Sequence, residues 1–181
     1  LGYLFPAIKH SMESKHNKSV VISCYTKNLQ DQLFHKDLPI ISRALEVPIK
    51  ATLLKGRTNY ICKTRLNWLI NEKKKILSSK DIESLLPVII WMHYTKTGDL
   101  SECAGFWNSR PIKVASLIRS EPGFCTTTIC GKNNGCYFGK IRRLSQSTNL
   151  VIINHALLFS NIQSPGILPE HGTVIIDEAH N

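Results

Sequence analysis

The chain has 181 residues, and its 23 lysines and arginines outnumber its 13 aspartates and glutamates, giving a formal net charge of +10 at pH 7. That balance predicts a polyanionic partner, and nucleic acid is the first candidate. The sequence has no apolar run of about eighteen residues and no secretory signal in its opening segment, so we expect no membrane partner and a cytoplasmic location. Its length fits one domain, or most of one domain that carries an insert.

The first 54 residues alternate between helical and uniformly apolar patterns. An amphipathic helix is predicted at Leu1–Ser14, and a buried strand follows at Ser19–Cys24. A second helix is predicted to end at Glu46, and a second strand covers Ile49–Leu54.

The same alternation of apolar and helical patterns returns after residue 147. Leu150–Ile153 is a predicted strand, Asn154–Asn161 a short helix, and Val174–Ile176 a final strand. Strands that are apolar throughout and alternate with helices are typical of a parallel sheet covered by helices on both faces. We therefore predict an α/β fold in which residues 1–54 and 148–181 share one sheet.

Residues 55–147 interrupt this sheet as a predicted insert. They hold five of the six cysteines and contain helical patterns at Tyr60–Leu77 and Asp81–Tyr94, with no convincing buried strand. We expect a mainly helical insert between two strands of the sheet.

The final predicted strand runs into the sequence Asp-Glu-Ala-His at Asp177–His180. Adjacent carboxylates at the end of a buried strand can hold Mg²⁺ with one group and place an attacking water with the other, although a solvated strand end is the alternative. The sequence lacks a phosphate loop, because neither Gly131-Lys132 nor Gly139-Lys140 is followed by serine or threonine. We therefore expect the chain to be a piece of a longer protein.

Four cysteines of the predicted insert have the spacing of a metal site. Cys125, Cys130 and Cys136 lie in a segment rich in glycine, asparagine and threonine, and Cys62 is a fourth candidate from the other end of the insert. Four thiolates suit either tetrahedral zinc or an iron–sulfur cluster, and this wide spacing favours the cluster.

The two remaining cysteines have other interpretations. Cys24 ends a buried strand and is expected to be a core thiol, whereas Cys103 is expected to be a free thiol, with a spare metal ligand as the alternative. Three disulfides are disfavoured by the basic composition and the absence of a signal sequence.

Five segments follow one another in the order found in a known family. They are Thr26–Leu33, Lys55–Cys62, the triplet Cys125, Cys130 and Cys136, Asn154–Leu158 and Asp177–His180. Across essentially its whole length the chain resembles the first motor domain of the iron–sulfur superfamily 2 DNA helicases, the DinG and XPD family, and most of all bacterial DinG.

This resemblance implies a RecA-like sheet without its phosphate-loop strand, interrupted by a 4Fe-4S cluster domain. It implies a DNA-repair hydrolase that uses ATP and Mg²⁺ to unwind DNA 5′ to 3′, with single-stranded and forked DNA as partners of a monomer. Leu1–Ile8 would continue the helix that begins at the phosphate loop, and a second motor domain would follow Asn181. We expect the full-length protein to be an ATP-dependent helicase and this chain alone to be inactive.

The resemblance also assigns roles to individual residues. Asp177 would hold Mg²⁺, Glu178 would orient and deprotonate the attacking water, and His180 would link the nucleotide site to the second motor domain. An exposed histidine without a role is the alternative for His180. The implied cluster ligands are Cys62, Cys125, Cys130 and Cys136.

A basic segment supplies three of the seven predicted DNA contacts, Lys55, Arg57 and Tyr60. Lys50–Lys80 holds nine basic residues and one acidic residue, and a basic helix with interleaved aromatic side chains can follow a phosphate backbone. A solvated face is the alternative for the basic segment, and helix capping for Thr26. Interdomain coupling or simple loop hydrogen bonding is the alternative for Asn154 and His155. The predicted contacts are Thr26, Gln30, Lys55, Arg57, Tyr60, Asn154 and His155.

A second hypothesis gives the chain no motor activity. A metal-stabilised nucleic-acid-binding module would account for the positive charge and the cysteines, and its acidic motif would be vestigial. A phosphate loop in the coding sequence upstream of Leu1 would favour the motor over this module.

Overall fold

The computed structural model describes residues 2–13, 19–124, 130 and 135–180, without the side chains of residues 73–75. The chain divides into two compact units. We call Leu1–Lys55 with Ile141–Asn181 the sheet unit, and Gly56–Lys140 the insert unit.

The sheet unit contains a four-stranded parallel sheet. Its strands are β1 (Ser19–Cys24), β2 (Ala51–Leu53), β3 (Leu150–Asn154) and β4 (His171–Ile176), in the spatial order β2-β3-β1-β4. The α/β class and the parallel sheet expected from the apolar runs are confirmed, and the arrangement is consistent with a RecA-like fold.

Helices cover both faces of the sheet. Helix α1 (Leu4–Glu13) places Leu4 and Ile8 in one apolar cluster with Val20 and Ile22 of β1. On the other face, α9 (His155–Gln163) packs through Leu157 and Leu158 against Val21 and Val151. Neighbouring residues of β1 therefore point to opposite faces that are both buried, and each such side chain contributes about 1.5–3 kcal/mol by its removal from water.

The predicted long helix before Glu46 is interrupted. Helix α2 (Lys27–Gln32) passes into a π-helical turn at Leu33–Asp37, in which the N–H of Leu38 donates to the carbonyl of Leu33. Helix α3 (Leu38–Leu45) then begins with Pro39 in its first turn. Because proline has no N–H and its ring crowds the carbonyl four residues earlier, a widened turn accommodates it.

Strand β4 differs from the expectation of a strand buried on both faces. Its burial alternates, and Val174 and Ile176 are 39% and 47% exposed. Among the described residues β4 pairs only with β1, and one of its faces is partly buried while the other is exposed.

The insert unit is mainly helical. In the part of this unit that the structure describes, the helices α4 to α8 are Lys63–Ile76, Ser79–Trp91, Ala104–Trp107, Ile112–Ile118 and Tyr137–Ser145, the last of which ends in the sheet unit. The first two lie where helical periodicity was found, although the first begins at Lys63 because Tyr60 and Ile61 form β-bridges with Asp99 and Arg119. Phe106 and Ile118 lie fully buried in the core of the unit. No helix in the described part of the chain is long and apolar enough to cross a membrane.

Asp81 should make the stability of the insert unit depend on pH. The hydroxyl and the backbone N–H of Ser78 both donate to its carboxylate, and these bonds hold the pKa of Asp81 below its usual range. Such a group stabilises the fold above its unfolded pKa of about 3.9, and this contribution is lost as the pH falls through the lower folded pKa. We expect Asp81→Asn to lessen the fall in the urea unfolding midpoint between about pH 6 and about pH 3.

Two serine variants test whether the capping box causes this effect. Ser78→Ala removes the donating hydroxyl and should also lessen the pH dependence, whereas Ser79→Ala changes the adjacent residue and should retain it. An equal loss of pH dependence in both serine variants would contradict the assignment.

Candidate functional site

Three parallel strands end at one edge of the sheet, where the predicted site residues Asn154 and Asp177 lie. β1 ends at Cys24, β3 ends at Asn154, and Asp177 directly follows β4. The backbone N–H of Asp177 donates to the carbonyl of Ser23 at 2.9 Å, so β1 fixes the position of the first acidic residue. In open parallel sheets this carboxyl edge is where ligands bind.

Tyr3 holds the side chain of Asp177. Its phenol donates to Oδ2 of Asp177 at 2.7 Å from the residue before α1. Burial, followed by the hydrogen bond and the charge of Asp177, raises the pKa of Tyr3 above its usual range, so the phenol remains a donor. The sequence motifs do not indicate a role for Tyr3, because nothing in the spacing of the sequence links residue 3 to residue 177.

The charge of Asp177 also acts on a buried thiol. Burial and then the nearby Asp177 carboxylate raise the pKa of Cys24 to about 12. Cys24 is fully buried in the apolar cluster beneath α1, which agrees with the expectation of a core thiol. A thiol with so high a pKa is a poor nucleophile and a poor metal ligand.

Glu178 and His180 lie in the turn after β4. Glu178 has a φ of 56°, in the left-handed region that residues other than glycine rarely adopt, and such positions are often found at functional sites. Its Oε2 lies 3.3 Å from Nε2 of His180, whose side chain is largely exposed. The two side chains that were assigned to water activation and interdomain coupling therefore contact each other.

His155 connects the β3 edge to β1. Its Nδ1 lies 2.6 Å from the hydroxyl of Ser23, and its ring lies beside those of Tyr25 and Phe159. Nε2 is buried and has no hydrogen-bond partner among the described residues. The structure thus brings His155 and Asp177 together through one residue, Ser23, which contacts both.

Thr26 and Asn154 both cap helices. The hydroxyl of Thr26 accepts from the N–H of Leu29 at 3.2 Å, and Oδ1 of Asn154 accepts from the N–H of Leu157 at 3.0 Å. Capping of this kind satisfies a helical N–H that would otherwise lack a partner. The capping role is therefore observed for both residues, and their contact with DNA stays a prediction.

Gln30 and Lys55 are buried in the sheet unit. The Gln30 amide donates to the carbonyls of Leu54 and Ile152 at 2.9 and 3.2 Å. Lys55 is 4% exposed, and its ammonium lies 2.9 Å from the Asp31 carboxylate. Both side chains tie α2 to the sheet in this structure, and the prediction that they contact DNA is untested.

Arg57 and Tyr60 meet at one ring in the insert unit. The guanidinium carbon of Arg57 lies 5.0 Å from the ring centroid of Phe138, and the ring of Tyr60 lies 5.7 Å from it. Tyr60 is buried, whereas Arg57 is partly exposed. Of this pair, Arg57 is the side chain that solvent, and hence a phosphate, can reach.

Three of the four predicted cluster ligands line one cavity. Cys62, Cys130 and Cys136 all lie on its wall, and Cys125 falls outside the described residues. Cys62 is held there because its N–H donates to the carbonyl of Ile118 at 2.8 Å. The donors fit an iron–sulfur cluster in their chemistry, since thiolates are its usual ligands. In the described part of the chain, no three cysteine, histidine or carboxylate side chains are already close enough to hold a metal ion.

Cys103 lies in the core of the insert unit. It is 4% exposed among apolar side chains, and burial raises the pKa of its thiol. This environment agrees with the expectation of a free thiol rather than a spare ligand.

Comparison with known proteins gives the class of the chain. No family model matches it. It is 36% identical, over 99% of its length, to the ATP-dependent DNA helicase YoaA of Haemophilus influenzae, and covers 27% of that protein. It is 32% identical to the YoaA of Escherichia coli over 99% of the chain and 28% of that protein. The 3′-5′ exonuclease DinG of Bacillus subtilis is 31% identical over 100% of the chain and 19% of that protein.

An α/β sheet with an acidic motif at its carboxyl edge is the frame of many nucleotide-using enzymes. The relatives give a more specific assignment within this class, because the chain is homologous over nearly its whole length to a segment of the YoaA and DinG proteins. The resemblance to the DinG group expected from its motifs is thereby confirmed. The chain spans about a quarter of the length of the YoaA relatives and about a fifth of the length of DinG.

Tyr3 should be recognisable in an alkaline titration. The chain has five tyrosines, and we expect Tyr3 to ionise later than its usual range, as followed by tyrosinate absorbance. Tyr3→Phe should remove this late step. Asp177→Asn should move it only partly back, because burial, the largest cause, remains.

The matched control is Glu178→Gln, which removes the neighbouring carboxylate. Glu178 does not bond to Tyr3, so this variant should leave the late step in place. A late step that persists in Tyr3→Phe would contradict its assignment to Tyr3.

Proposed function

We propose that the chain is part of the first motor domain of an ATP-dependent DNA helicase of the DinG group. The parent enzyme would move 5′ to 3′ along single-stranded DNA and unwind forked duplexes, as a cytoplasmic monomer. Residues 1–54 and 148–181 would form the RecA-like sheet of the motor domain, and residues 55–147 would form the insert that holds the cluster. The observation that carries this proposal is the position of Asp177, which β1 and Tyr3 hold at the carboxyl edge of the parallel sheet.

Asp177 would bind Mg²⁺ through the carboxylate oxygen that Tyr3 leaves available. The hydrogen bond from Tyr3 engages Oδ2, so Oδ1 would be the oxygen that binds a metal or a metal-bound water. Glu178, the next residue, would orient the attacking water and accept its proton. Its contact with His180 would have to open for this role, since His180 now lies against its carboxylate.

Hydrolysis also requires groups that this sequence does not contain. A phosphate loop must bind the β- and γ-phosphates, and a second motor domain would supply an arginine to the transition state. We therefore expect the full-length enzyme to hydrolyse ATP and this chain alone to be inactive.

Cys62, Cys125, Cys130 and Cys136 would hold a 4Fe-4S cluster. When bound, the cluster would supply a rigid cross-link and one-electron redox chemistry to the insert unit. The ligands come from the segment before α4 and from the segment before α8, so a bound cluster would join the two ends of the unit. The shared cavity of three of these cysteines supports this assignment.

DNA would bind the basic side chains of the chain. The net charge of +10 favours a polyanion, and Arg57 is a partly exposed cation close in sequence to Cys62. Thr26, Asn154 and His155 lie at the carboxyl edge of the sheet, where a single strand could approach. The second candidate function is a metal-stabilised nucleic-acid-binding module without motor activity, favoured by the same charge and cysteines.

Metal analysis distinguishes these two functions. After anaerobic purification, we expect about four irons and four acid-labile sulfides per chain. Single alanine substitutions at the four proposed ligands should each abolish this content. Cys103→Ala is the matched control and should retain it, because Cys103 lies in the apolar core.

One zinc and no sulfide would contradict the cluster and favour the binding module. Loss of iron in Cys103→Ala, with an unchanged circular dichroism spectrum, would contradict the assigned ligand set.

Arg57 should contribute to DNA binding through one phosphate. For a single-stranded oligonucleotide, we expect Arg57→Gln to lower the slope of log affinity against log salt concentration by about 0.7, the value for one lost contact. Fluorescence anisotropy at several salt concentrations measures this slope. Lys96→Gln removes an exposed cation of the same unit and serves as the control. An unchanged slope in Arg57→Gln would show that Arg57 does not contact phosphate.

A further inference from the structure

Lys63 lies on the wall of the cysteine cavity. It follows Cys62 directly, begins α4, and lines the same cavity as Cys62, Cys130 and Cys136. Of the described residues on this wall, Lys63 alone carries a fixed charge, since the others are cysteines, Ile61, Thr64 and Ser120. The cavity that would hold a negatively charged cluster therefore has a cation built into its side.

The ammonium group of Lys63 lies beside Tyr137 and close to Gly135. Its Nζ lies 4.8 Å from the ring centroid of Tyr137, within the range of a cation–π interaction. A Cβ added to Gly135 would lie 2.9 Å from the same Nζ, and Gly135 has a φ of +121°. The backbone conformation favours glycine at this position, because L side chains rarely adopt such a φ. The ammonium is thus packed between the residues that precede and follow Cys136.

Arg65, a described cation close in sequence to Lys63, is differently placed. Arg65 forms an ion pair with Glu121, and its guanidinium also donates to the carbonyls of Ser116 and Leu117. It does not line the cavity. The positive charge of Arg65 is therefore offset by a carboxylate, whereas Lys63 lines the same cavity as Cys62, Cys130 and Cys136.

A cation in this position favours an extra negative charge on the cluster. One-electron reduction adds one negative charge to a cluster that four thiolates already make negative, while no bond breaks and no proton moves. Charge and hydrogen bonding around a cluster are among the factors that set its potential, and a nearby charge acts strongly where water is partly excluded. We propose that Lys63 stabilises the reduced cluster and so raises its reduction potential. This inference rests on the cluster of the proposed function.

The test is a redox titration of the purified chain with its cluster. A low-potential viologen serves as the one-electron donor, and electron paramagnetic resonance of the reduced cluster is the readout. We expect Lys63→Gln to lower the ratio of reduced to oxidised cluster about tenfold at a fixed potential, which is a shift of about 59 mV for one electron. Lys63→Arg keeps the charge and should restore most of the potential.

Lys80→Gln is the matched control for the loss of one positive charge. Lys63 is the first residue of α4, and Lys80 lies beyond the other end of that helix. The fourteen residues of α4 span about 20 Å, and this length separates the two lysines. Lys80→Gln should leave the potential unchanged. Tyr137→Leu removes the ring that contacts the ammonium and should also lower the potential. It tests the role of Lys63 even if Lys63→Gln assembles the cluster poorly.

Two results would overturn the inference, and they are distinguishable from each other. If Lys63→Gln and Tyr137→Leu both contain wild-type amounts of iron and sulfide and both keep the wild-type reduction potential, Lys63 does not stabilise the reduced cluster. The cluster itself would still be present. Wild-type protein without iron and sulfide would instead contradict the proposed function, and the inference with it.

Discussion

The position of β1 between two parallel neighbours is the constraint on which the rest of the sheet unit depends. Ser23 pairs with Ile153 of β3 on one side and with Ile176 of β4 on the other. Its carbonyl accepts from Asp177 and its hydroxyl contacts His155, so one residue joins the ends of both neighbouring strands. A change in the register of β1 would separate these two candidate site residues, because a shift by one residue turns every side chain to the other face.

The sheet was predictable from sequence because its central strands are short and uniformly apolar. Strands such as Leu150–Asn154 are buried on both faces, and a run of branched apolar residues is typical of strands buried in this way. The interruption around Pro39 was not predictable from periodicity, since a π-turn changes the helical phase by a fraction of a turn. The exposed face of β4 was also missed, because Val174 and Ile176 have the residue types of a buried strand.

The candidate site was predictable only in part. The strand ends located Asp177 and Asn154, because parallel strands place their carboxyl ends at one edge. The sequence did not reveal that Gln30 and Lys55 are buried, since both are residue types usually exposed and their partners are set by tertiary contacts. Tyr3 was missed for the same reason, as its only link to Asp177 is spatial. Short motifs therefore located backbone positions better than side-chain environments.

The alternating burial of β4 has a consequence for the behaviour of this chain in solution. Among the described residues β4 is an edge strand, its exposed face carries Val174 and Ile176, and it contains no proline, lysine, arginine or carboxylate. Proteins usually protect such an edge with charge, proline or a covering segment, because an unprotected one can recruit a strand from another molecule. Expressed by itself at high concentration, this chain should self-associate through β4, and a lysine in place of Val174 should keep it dispersed.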